Sequence, residues 1–274
     1  MKIGVAVRSM GEASKKETLL AAVQWAESAG IDDVWIQDHL AIPPDDAEGS
    51  QGRYLDPMTT LAWLAGNTKR IGLGAGVLVL PYRRALPTAK SIATVQELSG
   101  GRLQLGVGVG WMQAEFNALG ISRAHRGRDT DQALDLMRRA FSAPDDVIEE
   151  NGQKLLFRPN PTAPPIYIGG HGLHALERTV RYGDGWMPMG ADPDRLKPDI
   201  EKLAELAAAA GRPCPEVVCL GGLPLEDVTA ACDQLRALSA IGVTHFVAGG
   251  GRYQSFEEFK PLVDGVRAVK DALN

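Results

Sequence analysis

Eight short apolar runs, each followed by a stretch of helical periodicity, occupy most of this chain. They are Ile3 to Val7, Val34 to Ile36, Ile71 to Leu80, Leu103 to Val109, Ile166 to Ile168, Gly185 to Pro188, Val217 to Leu220 and Thr244 to Ala248. Their β-branched and aromatic residues, bounded by glycine and proline, read as buried strands. Helix signals lie between them. Ser14 and Glu17 have capping-box spacing ahead of a helix that reaches Gly30. Asp56-Pro57 and Asp192-Pro193 each place an N-cap before a first-turn proline, opening helices to Leu64 and to Ala210. Further helices are expected from Pro87 to Leu98, after Trp111 to near Phe141, from Leu173 to Tyr182 and around Val228 to Leu238. Ser255 with Glu258 caps the last one.

Strict alternation requires right-handed crossovers and a parallel sheet. Eight units in 274 residues is the size of an α/β TIM (β/α)8 barrel, with an open doubly wound sheet as the alternative. The eightfold count selects the barrel, as one domain over 1–274. Two segments break the beat. Pro43 to Arg53 reads as an exposed loop, and Val147 to Leu156 as a small hairpin turning at Asn151-Gly152.

Composition narrows the function. A net charge of −5 argues against a nucleic-acid or anionic-membrane surface. No apolar run approaches membrane-spanning length, and the start carries no signal-peptide pattern. The three cysteines form neither a CxxC pair nor a metal-spaced set, which fits reduced thiols in a cytoplasm.

In such a barrel the chemistry sits where strands end at their C-termini. Those ends hold Asp38-His39, the run Gly74-Ala75-Gly76-Val77, the run Gly106 to Gly110 with Trp111, and Gly169-Gly170-His171-Gly172 followed by Leu173. Glycine lets backbone approach a flat ligand and adopt positive φ; tight helix–strand packing is the competing explanation. The 169–172 segment opens a helix, so its N–H groups and the positive helix end suit a phosphate. It is not a Walker loop, and Gly106 to Gly110 lacks dinucleotide-fingerprint spacing. The five histidines include no HExxH, no GxSxG elbow exists, and no metal site is expected. Trp111 and Trp186, each beside a glycine near a strand end, are the tryptophans placed for ligand contact.

Taken in order, these segments resemble the bacterial luciferase-like superfamily, and most closely its branch using the deazaflavin coenzyme F420. The resemblance rests on the helix-ending Gly30 and Trp35 ahead of Asp38-His39-Leu40. It rests also on Gly74 to Leu80 with Pro81-Tyr82-Arg83, Gly106 to Trp111, Ile166 to Gly172, and Gly183-Asp184-Gly185-Trp186. It implies an oxidoreductase moving a hydride between F420 and a small organic substrate, acting as a homodimer. It implies that Asp38 lies beside the ring and that His39 is the catalytic side chain at the reacting carbon. Gly76–Val77 would be a non-proline cis peptide backing the ring as a bulge, in a run that Gly74 and Ala75 complete. Gly170, His171 and Gly172, with Gly169 and Leu173 around them, would hold the phosphate. Gly108, Val109, Gly110 and Trp111 would line the other side.

One departure stands out. Sugar-phosphate dehydrogenases of that branch have a glutamate after the fourth strand's glycine run, where this chain has Trp111. Oxidation of a sugar phosphate is therefore not expected, and the tryptophan narrows the pocket for a planar or hydrophobic substrate. Glu115, one turn later, is expected in a structural salt bridge. Arg83, Arg84, Arg126 and Arg128 are available to an acidic cofactor tail, although solvated surface is the commoner place for such arginines. Two alternatives are an FMN-dependent monooxygenase of the same superfamily and a catalytically silent cofactor-binding or partner-subunit protein.

Overall fold

The computed structural model describes residues 1–47, 49–249 and 251–273. In chain order the strands are β1 (Lys2–Ala6), β2 (Asp33–Ile36), β3 (Gly72–Val79), β4 (Leu103–Gly108), β5 (Val147–Glu150), β6 (Gln153–Leu156), β7 (Ile166–Gly169), β8 (Gly185–Met187), β9 (Glu216–Gly221) and β10 (His245–Ala248). The helices are α1 (Lys16–Ser28), α2 (Pro57–Asn67), α3 (Ala85–Leu98), α4 (Gln113–Ala118), α5 (Arg126–Phe141), α6 (Leu173–Tyr182), α7 (Pro193–Ala209), α8 (Val228–Ala240) and α9 (Phe256–Leu273). Eight strands close a parallel barrel in the order β1-β10-β9-β8-β7-β4-β3-β2. The closing pair sets Lys2 opposite His245 and Val5 opposite Ala248. The expected TIM barrel is the fold. No helix among the described residues is long and apolar enough to cross a membrane.

Two apolar layers hold it. Strand residues such as Val5, Ile36, Leu73, Leu105 and Ile168 pack outward against the buried faces of the helices. Inside the barrel, Trp35, Tyr167, Met187, Val218 and Val247 form a separate cluster, with Ala6, Val77 and Leu220 half-buried against it. Glycines make room for these large interior side chains. A Cβ on Gly74 would stand 2.3 Å from the Trp35 ring, and one on Gly106 would stand 2.7 Å from Met187 Sδ. At the N-terminal end of the strands, Asp33 is 1% exposed and binds Trp35 Nε1 at 2.5 Å, Gln104 Nε2 at 3.0 Å and His245 Nε2 at 3.0 Å.

Local signals hold with one correction. Asp56 accepts from the Thr59 N–H at 2.9 Å, and Asp192 from the Asp194 N–H at 3.0 Å. Ser255 and Glu258 cap α9 from both sides, Glu258 N–H donating to Ser255 Oγ and Gln254 N–H to Glu258 Oε2. The hairpin β5–β6 turns at Asn151 and Gly152, both with positive φ. The capping box at Ser14 does not form. Helix α1 starts from Lys15 with no side-chain cap, because Ser14 lies in a preceding 3-10 turn. Its hydroxyl donates to Gly11 C=O and accepts from Arg53 Nε at 2.8 Å. That contact ties down the expected loop 43–53, of which position 48 lies outside the described residues; Ser50 within it is buried.

Candidate active site

Strand β2 ends at Ile36, and two residues later the chain delivers Asp38 and His39 to the C-terminal mouth of the barrel. The His39 side chain is 18% exposed, and its Nδ1 lies 3.0 Å from Glu115 Oε2. Glu115 sits on α4 and is 2% exposed. Its Oε1 accepts from the Leu40 N–H at 2.6 Å and the Ala41 N–H at 3.3 Å, and its Oε2 accepts from Tyr82 O–H at 2.8 Å. Burial, with the Glu115 carboxylate beside it, pushes the Tyr82 phenol above its ordinary range, so the hydroxyl stays a donor. The His39 ring stands edge-on to Trp111, with centroids 5.9 Å apart, and packs on Tyr54 at 5.0 Å. Trp111 itself is 66% exposed.

Asp38 faces the protein instead of the mouth. It is 5% exposed; its Oδ2 accepts from the Val79 N–H at 2.8 Å and Arg83 NH1 at 2.5 Å, and its Oδ1 from Arg83 NH2 at 3.0 Å. A forked guanidinium on a carboxylate is directional as well as charged. Burial alone would lower the Arg83 pKa, but Asp38 and Asp56 more than offset it and hold it above the ordinary value. Asp38 and Arg83 therefore clasp the end of β2 to the turn after β3. Arg83 is part of a structural ion pair rather than a solvated arginine, and Asp38 is its carboxylate partner.

Strand β3 carries a bulge. Ala75 pairs with Leu105 and Leu78 with Val107, so Gly76 and Val77 face one residue of β4. The Gly76–Val77 peptide is cis, as the resemblance implies. The bulge sends Val77 across neighbouring strands: a Cβ on Gly108 would stand 2.5 Å from Val77 Cγ2, and one on Gly169 2.9 Å from Val77 Cγ1. Packing thus accounts for those two glycines. Gly110 has φ +77, and Val79 would crowd a Cβ there.

The segment after β7 is different. Gly170 and Gly172 have φ of +114 and +77, and no atom lies within 4 Å of a Cβ built on Gly172. Gly170 to Leu173 are exposed at the start of the ten-residue α6. Trp186, read from sequence as a candidate ligand contact, is fully buried and donates Nε1 to Gly170 C=O at 2.8 Å, holding the segment from below. The His171 ring stands edge-on to it at 6.2 Å. Beside this segment, a cleft of about 1010 Å³ runs between α5, α6 and the β5–β6 hairpin, reached by Val109 and His174. Five arginines and three carboxylates line it. Arg178 pairs with Asp131, and Arg139 with Asp135 and Glu150; Arg126, Arg128 and Arg181 complete the basic lining.

The expected site residues lie at or towards the C-terminal ends of β2, β3, β4 and β7, which are neighbours in the barrel, except Gly74 and Ala75 in the first half of β3. His39 and Trp111 meet directly, as do Val77 and the glycines of β4 and β7. Two partners escape sequence reading: Tyr82, and Glu115 as the ligand of His39. Glu115 does meet a basic side chain, but it is the candidate catalytic ring 76 positions away, which helical spacing cannot reveal.

The profile of the family described as luciferase-like monooxygenase matches residues 1–271. A 5,10-methylenetetrahydromethanopterin reductase of Methanolobus tindarius is 31% identical over 229 residues, covering 82% of this chain and 65% of that reductase. Two solved structures share the fold. One is an F420-dependent secondary alcohol dehydrogenase in complex with an F420-acetone adduct, with TM-score 0.76, 19% identity and 98% of each chain covered. The other is the oxygenating constituent of 3,6-diketocamphane monooxygenase from Pseudomonas putida in complex with FMN, with TM-score 0.78, 15% identity and 100% and 97% covered. With its barrel, its bulged third strand and a profile match along nearly its whole length, this chain belongs to the luciferase-like family of oxidoreductases.

Proposed function

We propose that the protein is a cytoplasmic, homodimeric F420-dependent oxidoreductase acting on a small organic substrate. The observation that carries the choice of cofactor is the arginine cleft. It adjoins the exposed Gly170–Leu173 segment and has two more positive than negative groups in its lining. FMN ends at its phosphate. A deazaflavin continues into an acidic tail, and a basic cleft next to a phosphate seat suits that tail. The secondary alcohol dehydrogenase that shares the fold is named for the same coenzyme.

The residues fit such a group. Positive-φ glycines at 170 and 172, with open space where a Gly172 side chain would be, present backbone donors at a helix start. Gly170, His171, Gly172 and Leu173 would hold the phosphate, and Val77 and Trp111 would bound the ring. When bound, the deazaflavin supplies a two-electron hydride carrier. The chain's own contribution is to orient the substrate, exclude water and move one proton at His39. Trp111, apolar and edge-on to His39, favours a planar or hydrophobic substrate.

The test is a pair of anaerobic titrations, oxidised F420 against FMN, followed by quenching of tryptophan fluorescence at low and high salt. F420 is expected to bind at least tenfold tighter than FMN and to weaken more with salt, since solvent-facing arginines are screened. Tighter FMN binding overturns the proposal in favour of a monooxygenase, with oxygen uptake as the next assay. Binding of neither makes the catalytically silent reading the better one.

A further inference from the structure

We infer that Glu115 is a positioning residue that fixes the His39 ring in its Nδ1–H form and leaves Nε2 as the nitrogen that exchanges a proton with the substrate. The inference rests on the reading of His39 as the catalytic side chain, but its structural half stands without any cofactor.

The argument is a count of donors and lone pairs. A carboxylate only accepts hydrogen bonds and offers about four lone-pair directions. Three of the four contacts on Glu115 come from groups that act as donors: the N–H groups of Leu40 and Ala41, and the Tyr82 hydroxyl. The fourth contact, His39 Nδ1 at 3.0 Å on the oxygen that Tyr82 also binds, is a hydrogen bond only if Nδ1 carries the hydrogen. The carboxylate has no hydrogen to donate, so it offers Nδ1 nothing that would favour the other tautomer at this nitrogen. The same Glu115 holds the backbone just after His39, so ring and loop are anchored on one group.

The consequence is a division of labour between the nitrogens. If a hydride were delivered to a substrate carbon, its electron pair would shift onto the adjoining heteroatom, and Nε2–H of the imidazolium would supply the proton to it. In the oxidising direction neutral Nε2 takes that proton back. Nδ1 keeps its hydrogen in both directions, and Glu115 accepts it throughout, steadying the ring. An acid directly after the fourth strand is not needed for this, which accommodates Trp111 at that position.

Long-range proton–nitrogen NMR of the protein labelled with 15N-histidine tests the inference without cofactor, the His39 signals being assigned by their loss in His39→Gln. The expected result is a neutral ring with hydrogen on Nδ1 and a bare Nε2. Glu115→Gln keeps the shape but must present either a carbonyl or an amide to each neighbour. With its carbonyl on the Leu40 and Ala41 N–H groups, its amide donates toward Nδ1. The ring is then expected to switch to Nε2–H, with kcat falling about 10²- to 10⁴-fold and KM within about twofold. Tyr82→Phe retains the carboxylate and should retain Nδ1–H, which keeps the inference testable if Glu115→Gln fails to fold. A wild-type ring with hydrogen on Nε2, or a Glu115→Gln ring still protonated at Nδ1, overturns it. Tight FMN binding with an intact Nδ1–H ring would instead sink only the choice of cofactor.

Discussion

Asp33 is a carboxylate sealed inside the barrel, and it survives there because Trp35, Gln104 and His245 converge on it. Burial pushes its pKa up, but those hydrogen bonds and the His245 ring more than cancel the effect and hold it below the ordinary value of 3.8. A depressed folded-state value means that the stabilisation is complete above about pH 4 and drains as pH falls through the folded value. Urea denaturation of wild type and Asp33→Asn across pH 2 to 7 should therefore give curves that converge in acid. At neutral pH the variant is expected to be less stable by about 3–5 kcal/mol, the usual result of stripping one member from a buried polar pair. A difference independent of pH would contradict the assignment. Single residues also mark where sequence reading stopped. His39 was legible because an imidazole at a strand's C-terminal end is placed for chemistry in this fold. Glu115, Tyr82 and Arg83 were not, because each acts through a partner brought close only by barrel closure: His39 for the first two, Asp38 for the third. Trp186 misled for the opposite reason, since a glycine neighbour suggested openness where the ring is buried.

At the scale of elements, glycine has opposite meanings on a strand and on a helix. Gly74 lies within β3 under the Trp35 ring, and Gly66 lies exposed on α2 with nothing within 4 Å of a Cβ. Gly74→Ala has to move a fully buried indole that Asp33 also holds, so a loss of about 2–3 kcal/mol is expected, in the range of overpacked cores. Gly66→Ala only reduces the freedom of the unfolded chain and improves helix propensity, for a gain of about 0.5–1 kcal/mol. Urea midpoints moving in opposite directions would bear this out; a neutral Gly74→Ala would mean that β3 yields more readily than its packing implies. The elements themselves were nearly all readable, since strand and helix periods differ and proline and aspartate mark helix starts. The failure at Ser14 is instructive. Its spacing to Glu17 is that of a capping box, yet Gly11 and Arg53 compete for the hydroxyl and win. The strand-end glycines were legible as a set but not in their division: Gly108 and Gly169 seat Val77, while Gly172 stays open.

For the molecule as a whole, the first strand is paired with the last. Residues from the two chain ends thus share one sheet, and the outer layer repeats the link. Lys270 Nζ binds Gly30 C=O at 2.9 Å and Asp32 Oδ1 at 2.7 Å, and Trp25 Nε1 donates to Asp264 at 2.9 Å. A closed sheet cannot lose one segment without exposing two strand edges, so all 274 residues are expected to unfold in one step although the chain is long for two-state behaviour. The three free cysteines report on this. Cys214 is exposed, whereas Cys219 on β9 and Cys232 on α8 are buried. Burial pushes the Cys219 thiol up to about 12, which keeps it from forming the reactive thiolate until the barrel opens. A thiol reagent should label one cysteine at once in the native protein. The other two should appear together along a urea gradient, at the midpoint where far-UV circular dichroism is lost. Labelling of Cys219 and Cys232 at clearly lower urea would mean that β9, α8 and their neighbours open as a separate unit, and the chain would then behave as two cooperative parts within one barrel.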